Sequence, residues 1–242
     1  MKVALVTGAN KGIGFETARQ LAQHQIRILL GARDEASGQA AAAELRAQGL
    51  EATFLKLDIS QLADIAAATA HIQQTYGRLD ILVNNAAVFL DGEWSGNNTE
   101  TVSPQALRDT FDINYFGTVA LTQALLPLLK AGEAGRIVNV SSISGSLGTH
   151  LDPTHWFYTT KPFAYSASKT ALNHFTVFLA NALQHTPVKV NSVHPGWVQT
   201  AIGSDQAPLT PAEGARSSVA LALLPADGPS GTFTEAGEPL PW

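Results

Sequence analysis

Six short aliphatic and β-branched runs recur along the chain: Val3–Val6, Arg27–Gly31, Thr53–Leu57, Ile81–Val83, Ile137–Val140 and Val188–Val193. They end near Gly, Asp, Asn or Ser, and they read as buried strands. Between them lie stretches of helical length: Ile13–His24, Glu35–Gln48, Leu62–Tyr76, Pro104–Lys130, Phe163–Leu183 and Pro211–Leu223. Two of these have clear starts. Ser103-Pro104 is an N-cap followed by proline at the first helical position. Thr210-Pro211-Ala212-Glu213 adds the acid of a capping box. Strand and helix alternating throughout require parallel strands joined by right-handed crossovers. The expected fold is therefore α/β, a doubly wound parallel sheet of Rossmann type.

No composition break and no internal repeat divides the 242 residues, so residues 1–242 are expected to form one domain. Hydrophobic residues are 45% and charged residues 14% of the chain, against about 25% charged in typical domains. So much apolar surface excludes disorder or a coiled coil as the main organisation. A net charge of −5 without a basic run argues against nucleic acid and anionic membrane as partners. Cysteine is absent, which excludes disulfides, thiolate metal sites and a cysteine nucleophile. The apolar run at Val3–Val6 is too short for a signal-peptide core. Val119–Leu129 is too short and too interrupted to span a bilayer. A cytoplasmic protein is expected.

Three segments fit no regular element: 89–103, 144–162 and 201–209. Long loops after strand ends are where ligands bind in this architecture.

After the first strand comes Thr7-Gly8-Ala9-Asn10-Lys11-Gly12-Ile13-Gly14. Glycines there permit a tight turn and close approach of a pyrophosphate, which the N-terminus of the next helix attracts. The spacing differs from GxGxxG, and Lys11-Gly12 is unlike an ATPase phosphate loop. The end of the second strand, Ala32-Arg33-Asp34-Glu35, selects the dinucleotide. An acid there grips a ribose 2′-hydroxyl, whereas an arginine favours a 2′-phosphate. Arg33, with Lys11 in the glycine loop, points to NADPH over NADH. Asp34 or Glu35 is the alternative ribose acid.

Tyr165 and Lys169 lie four residues apart on a predicted helix and so share one face. A free tyrosine has a pKa of about 10. A neighbouring ammonium favours the phenolate and makes the group a usable acid or base. Ser141 and Ser142 follow the strand Ile137–Val140 at the carboxyl edge of the sheet, where a hydroxyl can polarise a carbonyl. Asn114 is a polar residue in an apolar helical neighbourhood and needs partners.

Thr7–Gly14, Asn84-Asn85-Ala86-Ala87, Ser142, Tyr165/Lys169 and Pro195-Gly196 occur in the order that resembles the short-chain dehydrogenases/reductases. The resemblance covers essentially the whole chain, and Asn10-Lys11 with Ala32-Arg33-Asp34 look most like NADPH-dependent carbonyl reductases. It implies an NADP-dependent oxidoreductase with a tetrad of Asn114, Ser142, Tyr165 and Lys169. Tyr165 would protonate the carbonyl oxygen and Ser142, with Ser141 as the alternative, would hold that oxygen. Lys169 would lower the Tyr165 pKa and bind the nicotinamide ribose. Asn114 would hold a water linking Lys169 to solvent. For the cofactor, the resemblance implies Gly8, Asn10, Lys11, Gly12, Ile13, Gly14, Arg33, Asp58, Ile59 and Asn84. It adds Tyr165, Lys169, Pro195, Gly196, Val198 and Thr200. No metal is implied. The third motif ends in Ala87, where the family normally has glycine.

Ser142 and Tyr165 are 23 positions apart, more than in many short family members, and the excess falls in 146–162. This insert is expected to wall the substrate with aromatics. It is also expected to cap the helix face through which family tetramers pair, leaving a monomer. Phe89, Leu90, Trp94, Ile143 and Leu147 would flank the nicotinamide, as would Trp156, Phe157, Tyr158, Trp197 and Ile202. Such a pocket suits a hydrophobic ketone or aldehyde. The rival readings are a 3-ketoacyl-carrier reductase or hydroxysteroid-type dehydrogenase with the same tetrad, and a non-catalytic dinucleotide sensor. His150 and His155 are expected to be structural or substrate-facing, and His194 to be buried and hydrogen-bonded.

Overall fold

A computed structural model describes residues Met1–Trp242. Seven strands run parallel: β1 (Val3–Thr7), β2 (Arg27–Ala32), β3 (Ala52–Lys56), β4 (Ile81–Asn84), β5 (Arg136–Val140), β6 (Lys189–Val193) and β7 (Phe233–Glu235). A short β8 (Glu238–Pro239) returns antiparallel on β7. The spatial order is β3-β2-β1-β4-β5-β6-β7-β8. The winding reverses between β1 and β4, which opens a crevice at their carboxyl ends.

Alternate strand residues enter opposite cores, because successive side chains point to opposite faces. On one face Leu5, Leu29, Leu82 and Ile137 meet Ile72 of α3 (Leu62–Tyr76), Leu121 and Leu125 of α5 (Thr118–Ala131), and Leu179 of α7 (Phe163–Ala182). On the other face Val6, Leu30, Val83 and Val138 meet Leu21 of α1 (Gly12–Gln23), Leu45 of α2 (Glu35–Ala47) and Val219 of α8 (Pro211–Ala222). Helices cover both faces, as a parallel sheet requires. No helix is long and apolar enough to cross a membrane.

Both predicted helix starts form. The Ser103 hydroxyl accepts from the Ala106 amide at 3.0 Å, at the head of α4 (Pro104–Phe111). The Thr210–Glu213 capping box closes in both directions at 3.3 and 2.9 Å.

The structure corrects three expectations. The helix read as Pro104–Lys130 is interrupted by a π-helical turn, Asp112–Gly117, between α4 and α5. A Cβ on Gly117 would strike the Ile59 carbonyl, so the turn passes close to the β3–α3 loop. Segment 144–162 is not wholly irregular. It begins with a 3₁₀ turn, Ile143–Gly145, and a short α6, Leu147–Leu151. The two short strands β7 and β8 were not foreseen. With three and two residues in a Gly- and Pro-rich stretch, they carry little local signal: β7 pairs along the edge of β6, and β8 turns back on β7.

Candidate active site

A cavity of about 1270 Å³ runs from the glycine loop, across the carboxyl ends of β1 and β4, to the aromatic loops. Gly8, Asn10, Lys11, Gly12, Ile13 and Gly14 line one end. Gly8 and Gly12 have φ of +63° and +59°, a region L side chains rarely adopt. A Cβ on Gly14 would come within 2.5 Å of the Gly8 carbonyl oxygen. Helix α1 starts here with no side-chain cap and no acid in its first turn. Its amide groups and positive end are left for an anion. The Asn10 amide ties the loop to Ser37 at 3.0 Å.

Arg33 and Asp34 line the same end. The Asp34 carboxylate caps α2, accepting from the Ser37 amide at 2.9 Å and the Ser37 hydroxyl at 2.5 Å. These bonds hold its carboxyl below the ordinary range. Glu35 does not line the cavity. Lys11 and Arg33 are therefore the cations at this end of the cavity. Asp58 and Ile59 line the cavity beside them, and Asp58 Oδ1 is engaged by the Ser60 amide and hydroxyl at 3.0 and 2.7 Å.

Asn84 is not on the cavity wall, contrary to expectation. Its side chain is buried and donates to Thr122 Oγ1 at 3.0 Å and to Asn139 Oδ1 at 2.8 Å. Asn139 continues to Thr176 and then Ser192, each at 2.8 Å. This polar chain crosses β4, β5 and β6 under the site. Sequence reasoning missed Asn85, which does line the cavity and donates from Nδ2 to the Thr7 carbonyl at 2.8 Å, bracing the glycine turn. The usable signal was strand alternation: Asn84 pairs in register with Asn139, so its side chain belongs to the packed face.

Ser142, Tyr165 and Lys169 meet at the other end of the cavity. Burial pushes the Tyr165 phenol up, and a hydrogen bond with the Ser142 hydroxyl only partly offsets it. The expected lowering by Lys169 is not found. Lys169 is itself buried, which pulls it down to about 7, and its Nζ donates to the Val140 carbonyl at 2.8 Å. Its ammonium lies 5.4 Å from the centre of the Tyr165 ring. Burial disfavours the charged form of each group, which raises the phenol and lowers the ammonium. The hydroxyl that meets Tyr165 belongs to Ser142. Ser141 Oγ instead donates to the Lys169 carbonyl at 3.5 Å.

Asn114 sits in the π turn and does not line the cavity. Its Oδ1 accepts from the Val88 amide at 2.8 Å, and its Nδ2 donates to the Val88 carbonyl at 2.9 Å and to Ser168 Oγ at 3.1 Å. It thereby joins the strand β4 exit to α7. Such turns are frequent where function demands one side chain out of helical phase.

Pro195, Gly196, Val198 and Thr200 all line the cavity. Gly196 has φ of +83°. Thr200 accepts from the Gly203 amide at 3.0 Å, and a Cβ on Gly12 would meet its methyl at 3.4 Å, so this loop reaches the glycine turn. His194 is buried on the wall but is not hydrogen-bonded as expected. Its Nδ1 has no partner and its Nε2 lies 3.8 Å from Glu235 Oε1. Burial pushes it down to about 4, so it is neutral at pH 7.

Of the ten residues expected to flank the substrate end, Leu147 and Tyr158 are exposed and off the wall; the other eight line it. Phe89 and Trp94 stack at 4.4 Å and meet the Tyr165 ring edge-on at 5.5 and 5.4 Å. The Trp94 indole N–H donates to the Ile202 carbonyl at 2.6 Å, and that of Trp197 to the Gly203 carbonyl. Both indoles thus turn apolar surface inward. In the insert, Phe157 packs on Trp94 at 6.3 Å, His150 Nε2 donates to the Ser144 carbonyl at 2.9 Å, and His155 Nδ1 accepts from the Phe157 amide at 3.1 Å. Phe116, Val177 and Phe178 remain exposed on the outer helices. The insert does not cap them, so the stated reason for a monomer does not hold.

A doubly wound sheet with a glycine turn at its switch point and a Ser–Tyr–Lys cluster at the other end defines a class of dinucleotide-dependent oxidoreductase folds. The short chain dehydrogenase family model matches residues 2–208, and the chain belongs to that family. It is 32% identical to (−)-isopiperitenone reductase of Mentha piperita, covering 96% of this chain and 95% of that one. It is 34% identical to carbonyl reductase (NADPH) 1 of Sus scrofa, over 100% and 94% of the two chains. Among solved structures, salutaridine reductase of Papaver somniferum superposes with a TM-score of 0.82, at 30% identity, covering 96% and 99%.

Proposed function

We propose that this protein is an NADPH-dependent reductase of hydrophobic ketones or aldehydes, with Ser142, Tyr165 and Lys169 as its catalytic residues. The observation that carries this reading is the gathering of Ser142, Tyr165 and Lys169, all buried and with Lys169 Nζ 5.4 Å from the Tyr165 ring centre, at the apolar end of the cavity. The name of one relative, a carbonyl reductase using NADPH, supports it.

The residues at the glycine end fit the cofactor. The open start of α1 would receive the pyrophosphate, and Arg33 and Lys11 the 2′-phosphate. Asp58 and Ile59 would flank the adenine. The Pro195–Thr200 loop would hold the carboxamide, with Thr200 and the Val198 backbone as its polar groups. When bound, NADPH supplies a hydride to the carbonyl carbon. Ser142 Oγ orients the carbonyl oxygen, and Tyr165 Oη gives that oxygen its proton. A phenol raised by burial stays protonated at pH 7, which suits the donor in reduction. The Lys169 ammonium steadies the negative charge that remains on Tyr165 Oη. Asn114 shapes the π turn and ties it to α7; a bound water there would resupply the proton. The loops 89–103, 144–162 and 201–209 exclude water from the reacting groups. The cytoplasmic setting expected from the sequence belongs to the same reading.

A panel of ketones and aldehydes, followed by absorbance with NADPH and with NADH, tests the reading. Bulky apolar ketones should be reduced with NADPH. No turnover of any carbonyl with either cofactor would refute it.

The pH dependence has a definite sign. Lys169 carries its charge below about 7 and loses it above. The kcat for reduction should be flat below pH 7 and fall as pH rises past it. In Lys169→Arg the side chain stays charged, so the fall should vanish from that range even though kcat is lower. An unchanged limb in the variant would assign it elsewhere.

A further inference from the structure

We propose that Asp91 is a positioning residue for Tyr165, an inference that rests on Tyr165 being the proton donor. Helix α7 starts at Phe163 after Pro162, and no side chain near its own start caps it. The first amide groups of a helix have no partner inside it. Here they are met by a segment 65 to 74 residues earlier in the chain. The Ala164 amide donates to Asp91 Oδ1 at 2.8 Å, and the Tyr165 amide to Asp91 Oδ2 at 2.9 Å. The Phe163 amide donates to Asn98 Oδ1 at 2.7 Å, and Asn98 Nδ2 in turn donates to Asp91 Oδ1 at 3.0 Å. One carboxylate therefore holds two successive amides, and one of them is Tyr165's own.

The same segment also holds the tyrosine ring. Phe89 and Trp94, on either side of Asp91 in sequence, pack edge-on against it at 5.5 and 5.4 Å. Trp94 is pinned across the cavity by its 2.6 Å bond to the Ile202 carbonyl. Backbone and ring of Tyr165 are thus gripped by one loop that also walls the substrate end. A plain helix cap would need only one local acceptor, as Ser103 provides for α4. Asp91 does more: it ties the position of the proton donor to the loop that meets the substrate. An acid is suited to this place, because both of its oxygens accept and its charge complements the positive end of α7.

The test compares the full-length protein with Asp91→Ala, Asp91→Asn and Tyr165→Phe. A ketone from the panel is the substrate, and every rate is normalised to NADPH-binding sites counted by fluorescence titration. Misplacing a reacting group by about 1 Å can lower a rate about 10²-fold. Asp91→Ala should lower kcat by about that factor, with the NADPH Kd unchanged, since Asp91 lies outside the cofactor end. Asp91→Asn keeps one accepting oxygen and should recover part of the loss. A residue that only stabilised the fold would lower the number of binding sites and leave kcat per site intact. Should Asp91→Ala fail to fold, Asp91→Asn carries the comparison. Wild-type kcat per site in the Asp91 variants, with Tyr165→Phe inactive, overturns the role of Asp91 alone. Turnover by Tyr165→Phe overturns the reading of Tyr165 and this inference with it.

Discussion

Tyr165→Phe is expected to lower kcat for ketone reduction by about 10³-fold, within the range a positioned general acid contributes. The substitution removes only the hydroxyl. The ring keeps its edge-on contacts with Phe89 and Trp94, so the wall of the cavity and the start of α7 stay as they are. The lost atom is the one that meets Ser142. NADPH affinity should therefore change little, because the glycine turn, Arg33 and the Pro195–Thr200 loop are untouched. Steady-state kinetics, paired with a fluorescence titration of NADPH, separate the two effects. Near-normal turnover would remove Tyr165 from the chemistry.

The second large effect concerns cofactor choice. Arg33→Ala should raise the KM for NADPH by about 10- to 100-fold, the equivalent of about 1.5–3 kcal/mol for hydrogen bonds to a charged group. The KM for NADH should move far less. Asp34 cannot take over as a ribose acid, because its carboxylate is the cap of α2. Arg33 and Lys11 are exposed at the lip, so salt screens them and the difference should shrink as ionic strength rises. Initial rates with both cofactors at two salt concentrations measure this. An equal rise for NADH would show that Arg33 contacts something other than the 2′-phosphate.

The cofactor end was legible because its determinants are local. A glycine turn that must pass a backbone close to an anion has to be written in consecutive residues, Gly8 to Gly14. The two capped helix starts are equally local, since each hydroxyl reaches an amide three residues on. Asn84 misled because its chemistry is set across strands. Only the register with β5 shows that its amide faces Asn139 and leaves Asn85 to brace the turn. The π turn at Asn114 was unreadable for the same reason: its amide is satisfied by the Val88 backbone, 26 residues earlier.

The alternation of apolar strand and amphipathic helix, by itself, determined a parallel sheet, because apolar strands joined by helices must be covered on both faces. The order of motifs pointed to Gly8–Gly14, Arg33, Ser142, Tyr165 and Lys169 at one cavity, but also to Asn84 and Asn114, which lie off its wall. Tertiary structure alone decided their electrostatics and their support. How Tyr165 and Lys169 titrate depends on how far both are removed from water, and burial raises the one and lowers the other. Whether α7 begins with a cap depends on a carboxylate that folding brings from 74 residues away. Desolvation and long-range hydrogen bonds are properties of packing, which a linear order of residues does not state.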